Sequence, residues 1–380
     1  MKLAYSTEQR ELRESVKRFM TDRMPLSRVR ELMESADGSD EKVWSYAGSQ
    51  LGLQGIAIGE QYGGAGFSFV EQAIVLEELG AALYPGPYLA SAVLAASALL
   101  ASTDEAAKRD LLPGIASGST VATLAFTEDD GSWEPSAIRL AATADADSWR
   151  LDGHKSFVLD GYTADLILVV ARTGDTLSLF AVDRAATNDA AGTGATGLAS
   201  KELQTLDQTR RLGRLEFSAA PARLIGASGD GGPILDKTLD ITAVALAAEQ
   251  LGGAQRALDM AVSYAKIRHQ FGRPIGSFQA IKHRCADLLL EVESLRSAVA
   301  YAAAAVAEDS PEVPVLAALV KALASETYFH VAAENIQIHG GIGFTWEHDA
   351  HLYFKRAKSS ELFLGDASYH RERLATRIGI

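Results

Sequence analysis

The chain has 380 residues, 47% hydrophobic and 22% charged, proportions that suit a folded protein of two or three domains sharing one body. A formal net charge of −13 with no basic stripe argues against nucleic acid as a partner, and no run approaches the roughly 20 uninterrupted apolar residues of a membrane span. The single cysteine, Cys285, rules out an internal disulfide and suits a reducing cytoplasm, and Met1–Arg10 lacks the basic-then-apolar order of a signal peptide.

Residues 1–119 read as a helical domain. Ser6 and Gln9 have the spacing of a capping box, and Leu12, Val16, Phe19 and Met20 follow at helical steps. Helices are predicted over Val70–Leu83, Leu89–Leu100 and Lys108–Gly118, with Pro85 and Pro87 interrupting the chain. Residues 120–230 change character. Leu166–Val170 and Leu177–Val182 are short and β-rich, Asp152-Gly153 carries a hairpin-turn signal, and Gly192–Gly197 is a small-residue loop. A central antiparallel sheet or barrel is expected there.

Residues 231–380 return to helix. One stripe runs from Leu239 to Ile267 and a second from Ile281 to Val299. Pro311 and Pro314 precede a third helix, Val315–Gln337, and shorter helices begin near His351 and Ser368. A four-helix bundle is the economical packing. Helix, β, helix is the order of several fold families and does not by itself fix a function.

Four segments narrow the choice. They are Leu51–Gly80, with Gly63, Gly64 and Gly66 turning before an amphipathic helix; Ala125–Ser132, AFTEDDGS; Tyr264–Gln279, YAKIRHQFGRPIGSFQ; and Gln337–Phe344, QIHGGIGF. Arg268 supplies a planar, permanently charged donor set suited to a pyrophosphate. Gly340 and Gly341 allow backbone amides to approach a ligand. The glycine pair follows a helix, with no βαβ unit around it, and so is not a dinucleotide fingerprint. Taken alone, the glycines fit ordinary turns and the charges a solvated helix end.

Together the segments resemble the acyl-CoA dehydrogenase family over almost the whole chain. The resemblance implies an N-terminal all-α domain, a central β domain and a C-terminal four-helix bundle. It implies FAD, acyl-CoA thioesters as substrates, a dimer or tetramer, and an electron-transferring flavoprotein as electron acceptor. FAD contacts are implied for Phe126, Thr127, Ser132 and Phe157 on the flavin side. Across a subunit interface they are implied for Arg268, Gln270, Phe271, Gln279, Gln337, Gly340 and Gly341. Ser132 and Asp240 are implied near the acyl-CoA. Leu159 stands where the family usually has Thr, and a leucine side chain offers the flavin no hydrogen bond.

The family's chemistry removes a proton from the α-carbon while a hydride leaves the β-carbon for the flavin, which needs a carboxylate base. Matching Lys355-Arg356-Ala357-Lys358 and Gly365 puts Leu364 at the usual Glu position. Matching back from Gln255-Arg256-Ala257-Leu258-Asp259 puts Thr242 at the alternate one, followed by Ala243. Three readings stay open. The chain resembles base-less subunits of actinobacterial heteromeric enzymes acting on steroid side chains, completed by a base-bearing partner. Another carboxylate substitutes, with Asp366 the leading candidate and Glu249 and Glu361 behind it. Or the chain is a structural or regulatory homologue that binds flavin or acyl-CoA without turnover. Separately, nitroalkane oxidase or monooxygenase chemistry on the same fold stays open as an alternative. Asp366 also suits a helix N-cap. His348 and His351 match no strong zinc pattern, and Cys285 suits a core thiol in an apolar stripe. The Glu128-Asp129-Asp130 cluster is expected to be a solvated loop.

Overall fold

The computed structural model describes residues 5–146, 148–187 and 197–380. In chain order the helices are α1 (Thr7–Arg23), α2 (Leu26–Glu34), α3 (Glu41–Ser49), α4 (Phe69–Ala81), α5 (Ala96–Ala101, entered through a π-helical segment, Leu89–Ala95) and α6 (Glu105–Ser117). Strands β1 (Ala122–Ala125), β2 (Ala141–Asp145), β3 (Ser148–Leu159), β4 (Leu166–Thr173) and β5 (Thr176–Asp183) follow, then α7 (Arg184–Thr187), β6 (Gly197–Leu203) and β7 (Leu212–Ile225). The remainder is α8 (Gly231–Ile267), β8 (His269–Gln270), β9 (Arg273–Pro274), α9 (Gln279–Ala307), α10 (Val313–His339), α11 (Ala350–Leu362) and α12 (Ala367–Ile378). Helix, β, helix is therefore the observed order. Apart from Gly197, the predicted loop 192–197 lies outside the described residues.

The chain divides into two compact units, each discontinuous in sequence: Met1–Glu34 with Ser68–Tyr84 and Ala243–Ile380, and Ser35–Phe67 with Pro85–Thr242. In the first unit the capping box at Ser6 and Gln9 opens α1 as expected. Helices α4 and α8 touch backbone to backbone: a Cβ added to Gly80 would lie 2.0 Å from the Glu249 carbonyl, and one on Gly252 1.7 Å from that of Glu77. Any side chain at either position would have to push the helices apart. Pro314 sits in the first turn of α10, where its missing amide costs no helical bond. The segment 313–344 is long and apolar enough to cross a membrane, but 61% of its most apolar window is buried in the protein.

The same unit buries an ion-pair cluster. Glu77 accepts from Arg13 and from Arg296, both at 2.5 Å. Its neighbour Glu78, with a side chain only 11% exposed, lies 3.9 Å from Arg13. Burial pushes the Glu78 carboxyl up to about 7; Glu77 and Glu14 add to the rise, while Arg13 and Lys17 oppose it. An unfolded glutamate titrates near 4.5. The folded protein therefore holds a proton that the unfolded chain has released, and the penalty grows from about pH 4 until it is complete above about pH 8. Glu78→Gln keeps the shape and cannot ionise. It is expected to stabilise the protein by about 2 kcal/mol at pH 8 and by well under half of that at pH 5, read from melting temperatures at the two pH values.

In the second unit the strands close on themselves: β4 pairs with β2, β2 with β3, β3 with β7, β7 with β5 and β5 with β4. β6 adds to β7. Most pairings are antiparallel, but β1–β4 and the single β2–β4 bridge are parallel. Leu151, Val169, Phe180, Val182, Leu215 and Phe217 fill the interior.

Asp152-Gly153 is not a hairpin turn. It lies inside the continuous strand β3, and the chain reverses earlier, after Asp145, with Ala146 at φ +50°. Opposite it, β7 carries an extra residue at Ala219, φ +49°, whose amide donates to Asp152 Oδ1 at 2.8 Å. Asp and Gly serve a bulge here by the same local chemistry that would have served a turn.

Candidate functional site

On the second unit, a second irregularity of β3 displays Phe157. Lys155 pairs with Leu215 and Val158 with Gly213, so β3 has one residue more than β7 across this interval. The bulge holds Phe157 at φ +58° with the residue 37% exposed. A bulky residue in left-handed backbone costs of order 1–2 kcal/mol and is kept where the surroundings impose it. Gly131 lies under the Phe157 ring edge.

The neighbouring strand end is tied down on all sides. Thr127 donates its hydroxyl to the Ser156 carbonyl at 2.5 Å, and its own carbonyl accepts from the Ser156 amide at 2.9 Å. Phe126 is buried with its ring 5.9 Å from that of Trp133. Ser132 caps a turn, its amide donating to Asp130 and its hydroxyl accepting from Glu134. Leu159 is buried, and its carbonyl accepts from the Thr123 hydroxyl at 2.6 Å.

Glu128 is not part of a solvated loop. It is buried and accepts from Lys155 Nζ at 2.9 Å and from the amides of Arg139 and Leu140. Lys155 is fully buried, and its ammonium also donates to the Phe126 carbonyl at 3.0 Å. Burial holds the Lys155 ammonium down to about 8 against the pull of Glu128. Burial pushes the Glu128 carboxyl up, but Lys155 and the two amides more than reverse this and leave it below the ordinary range. The pair is thus charged at neutral pH and fixes the strand end beside Phe157 and Gly131. Asp129 is more exposed and bonds Ser156 and Arg214. Sequence distance hides the Lys155–Glu128 pair.

On the first unit, β8 and β9 form a hairpin whose turn is Phe271-Gly272, at φ +53° and +76°. Both signs match a type I′ turn, a strained choice for phenylalanine. Phe271 is 91% exposed at its tip, with the Phe278 ring edge-on at 6.2 Å. Arg268, at the hairpin base, is exposed, and its backbone is held by Tyr264 and Ile275. Gln270 is exposed in β8, and Gln279 opens α9 beside His283.

Gln337 is exposed near the end of α10, where Gly340 takes φ +64°, ψ −144°. Only glycine adopts that backbone without strain. Neither Gly340 nor Gly341 has an atom within 4 Å of where a Cβ would stand. Phe344 and Trp346 are also largely exposed. His339 and His348 stack at 4.2 Å, and no group of three or more His, Cys, Asp or Glu among the described residues is arranged to hold a metal.

Leu364 is 4% exposed and left-handed, φ +63°, in a turn closed by Gly365. Two groups grip this turn. His370, buried at the start of α12, donates Nε2–H to the Leu364 carbonyl at 2.9 Å, and burial holds its ring down to about 3, so it is neutral. Lys321 is fully buried on α10 and donates to the Gly365 carbonyl at 2.9 Å, the Glu361 carbonyl at 3.2 Å and Ser325 Oγ at 2.9 Å.

The candidate carboxylates are occupied. Asp366 caps α12, accepting from the Tyr369 amide at 2.8 Å. Glu249 accepts from Arg356 at 3.0 Å with both side chains buried. Glu361 pairs with Lys358. Thr242 is fully buried and donates to the Thr238 carbonyl at 2.7 Å, and Asp240 is buried on the same helix.

Three family models match successive parts of the chain: acyl-CoA dehydrogenase N-terminal domain over residues 6–119, middle domain over 123–209 and C-terminal domain over 229–379. The chain is 36% identical over 371 residues to acyl-CoA dehydrogenase IpdE2 of Mycobacterium tuberculosis, covering 98% of this chain and 97% of that protein. Among solved structures it is similar to the ChsE4–ChsE5 complex from Mycobacterium tuberculosis, at 30% identity and TM-score 0.88 over 100% and 99% of the two chains. It is also similar to a Tcur3481–Tcur3483 steroid ACAD variant, at 34% identity and TM-score 0.86 over 98% and 97%.

Proposed function

Because the chain belongs to the acyl-CoA dehydrogenase family of flavoprotein oxidoreductases, we propose that it serves as a FAD-dependent acyl-CoA dehydrogenase subunit that lacks its own base and is completed by a base-bearing partner. The observation that carries the reading is the buried, left-handed Leu364 in an intact and doubly held turn, together with a Thr242 whose hydroxyl is spent on its own helix. A leucine takes no proton, and the candidate carboxylates Asp366, Glu249 and Glu361 are engaged in a cap and ion pairs.

The residues fit FAD. Phe157 is held outward as a face for a flat ring, beside the fixed backbone of Phe126 and Thr127. Ser132 stands on the same loop. Arg268, Gln270, Gln279 and Gln337, with the open backbone at Gly340 and Gly341, suit a diphosphate and its sugar, and Phe271 suits an apolar lid over a neighbour's cofactor. FAD, when bound, accepts the hydride from the β-carbon. In this chain Lys155 and Glu128 keep the flavin-side strand in place, and Arg268 holds an anion without needing a proton transfer. The α-proton goes to the partner's carboxylate. The paired structures among its relatives, ChsE4–ChsE5 and Tcur3481–Tcur3483, support such a partner, and the latter, a steroid ACAD, supports a steroid-derived or other lipid acyl-CoA near Ser132 and Asp240. An electron-transferring flavoprotein then takes the electrons. The lone cysteine supports a reducing, cytoplasmic setting.

The test is the visible spectrum under anaerobic addition of an acyl-CoA panel, for the chain alone and co-expressed with a neighbouring dehydrogenase subunit. The expected result is bleaching only in the co-expressed complex. Bleaching of the chain alone would overturn the reading and direct attention to Asp366. In the complex, Arg268→Ala is expected to weaken FAD binding about 10- to 100-fold, followed by flavin fluorescence on dilution, since a charge-assisted bond is worth roughly 1.5–3 kcal/mol.

A further inference from the structure

A cavity of about 360 Å³ lies wholly within the first unit, lined from α1, α2, α4, α8 and α11. Its size falls in the range of about 300–1,000 Å³ typical of small-molecule pockets. Met20, Met24, Pro25, Leu26, Ala81 and Ala82 give it an apolar lining. Methionines adapt to irregular apolar shapes. Five polar side chains also line it: Lys17, Glu78, Arg256, Tyr353 and Thr21, whose hydroxyl donates to the Lys17 carbonyl at 2.8 Å.

Their bonding decides what they can receive. Tyr353 donates its hydroxyl to the Ala81 carbonyl at 2.7 Å, and Arg256 hydrogen-bonds Tyr353. That bond fixes the guanidinium at the cavity and leaves its other N–H groups for a ligand. Lys17 and Arg256 are both solvent-exposed and bring two positive charges. One carboxylate opposes them, and Glu78 is half-protonated near neutrality. The groups facing Glu78 are Arg13, Lys17 and Glu14 from α1, Glu77 from its own helix, Arg256 from α8 and Tyr353 from α11.

We propose that this cavity binds an amphipathic monocarboxylate, its chain against Met20, Met24 and Leu26 and its carboxylate between Arg256 and Lys17, accepting a hydrogen bond from the O–H of Glu78. An amine would meet two cations, and a dicarboxylate would place a second charge against the apolar wall. The inference stands on the cavity alone and is independent of the dehydrogenase reading.

Titration calorimetry of the full chain with decanoate, decylamine and decanol, in two buffers of different ionisation enthalpy, tests it. Decanoate is expected to bind saturably with proton uptake, about tenfold more weakly at pH 8 than at pH 6. Arg256→Gln is expected to weaken it about tenfold or more. Ala82→Leu, which narrows the cavity, should weaken it at least several-fold, and Glu78→Gln should remove the pH dependence. The flavin spectrum and acyl-CoA binding should stay unchanged in all three, which separates this site from an acyl-CoA pocket. Absence of saturable decanoate binding, preference for decylamine, or decanoate binding indifferent to both Arg256→Gln and Ala82→Leu would overturn the proposal. If Arg256→Gln does not fold by circular dichroism, Lys17→Gln at an exposed position takes its place.

Discussion

Replacing Leu364 by glutamate is expected to give the isolated chain, loaded with FAD, acyl-CoA dehydrogenase activity at least about 100-fold above its own background, measured with a dye as electron acceptor. Leu364 already holds the left-handed backbone, so the new side chain inherits a turn that exists and pays no additional strain for it. Its carbonyl and that of Gly365 remain gripped by His370 and Lys321. The new carboxyl would be largely buried, and burial would lift its titration toward neutrality, where a base works best. Leu364→Gln, equal in shape and unable to accept the proton, should stay at background. Activity in neither variant would mean that the flavin-side pocket of this chain is not competent, leaving only its contribution to a partner.

Removing the lysine beneath that turn should cost more stability than any surface change. Lys321→Ala deletes three hydrogen bonds from a fully buried ammonium and opens a cavity. The loss is expected to be about 3–5 kcal/mol, seen as a lower denaturation midpoint with an unchanged slope. Lys321→Met keeps most of the volume and leaves two carbonyls and a hydroxyl without this donor, for about 2 kcal/mol. In the Leu364→Glu background, Lys321→Met should also lower kcat more than it raises KM, because the turn would no longer hold the base in one place. A purely structural role would lower the melting temperature and leave that ratio alone.

Local chemistry was readable in the sequence where its partners are close along the chain. The capping box of Ser6 and Gln9 and the proline break before α10 depend on neighbours within four residues. Asp152-Gly153 misled because a bulge and a turn ask for the same residues, and only the pairing strand decides between them. Glu128 looked solvated because the lysine that buries it is 27 positions away. Lys321 reads as one more helical lysine until the carbonyls of Glu361 and Gly365 converge on it from 40 and 44 residues further on. The exposed, strained Phe271 and the outward Phe157 drew attention through family resemblance. Their backbone angles are what the sequence alone does not give, since a positive φ at phenylalanine follows from the hairpin and the bulge around it.

The interrupted path of the chain sets an order for its synthesis. The second unit draws on Ser35–Phe67 and Pro85–Thr242, whereas the first joins Met1–Glu34 and Ser68–Tyr84 to Ala243–Ile380. On the ribosome α1 and α4 emerge long before α8, and the Arg13–Glu77–Arg296 cluster cannot close until Arg296 has appeared. At about 5–20 residues per second, the more than 200 residues between Glu77 and Arg296 take roughly 10–45 s to be made. For that interval α4, whose Ile74, Val75 and Leu76 are buried in the folded chain, lacks α9 and the part of α8 that crosses it at Gly80, and depends on collapse or a chaperone. The glycine crossing at Gly80 and Gly252 is then a docking step made late between helices already formed.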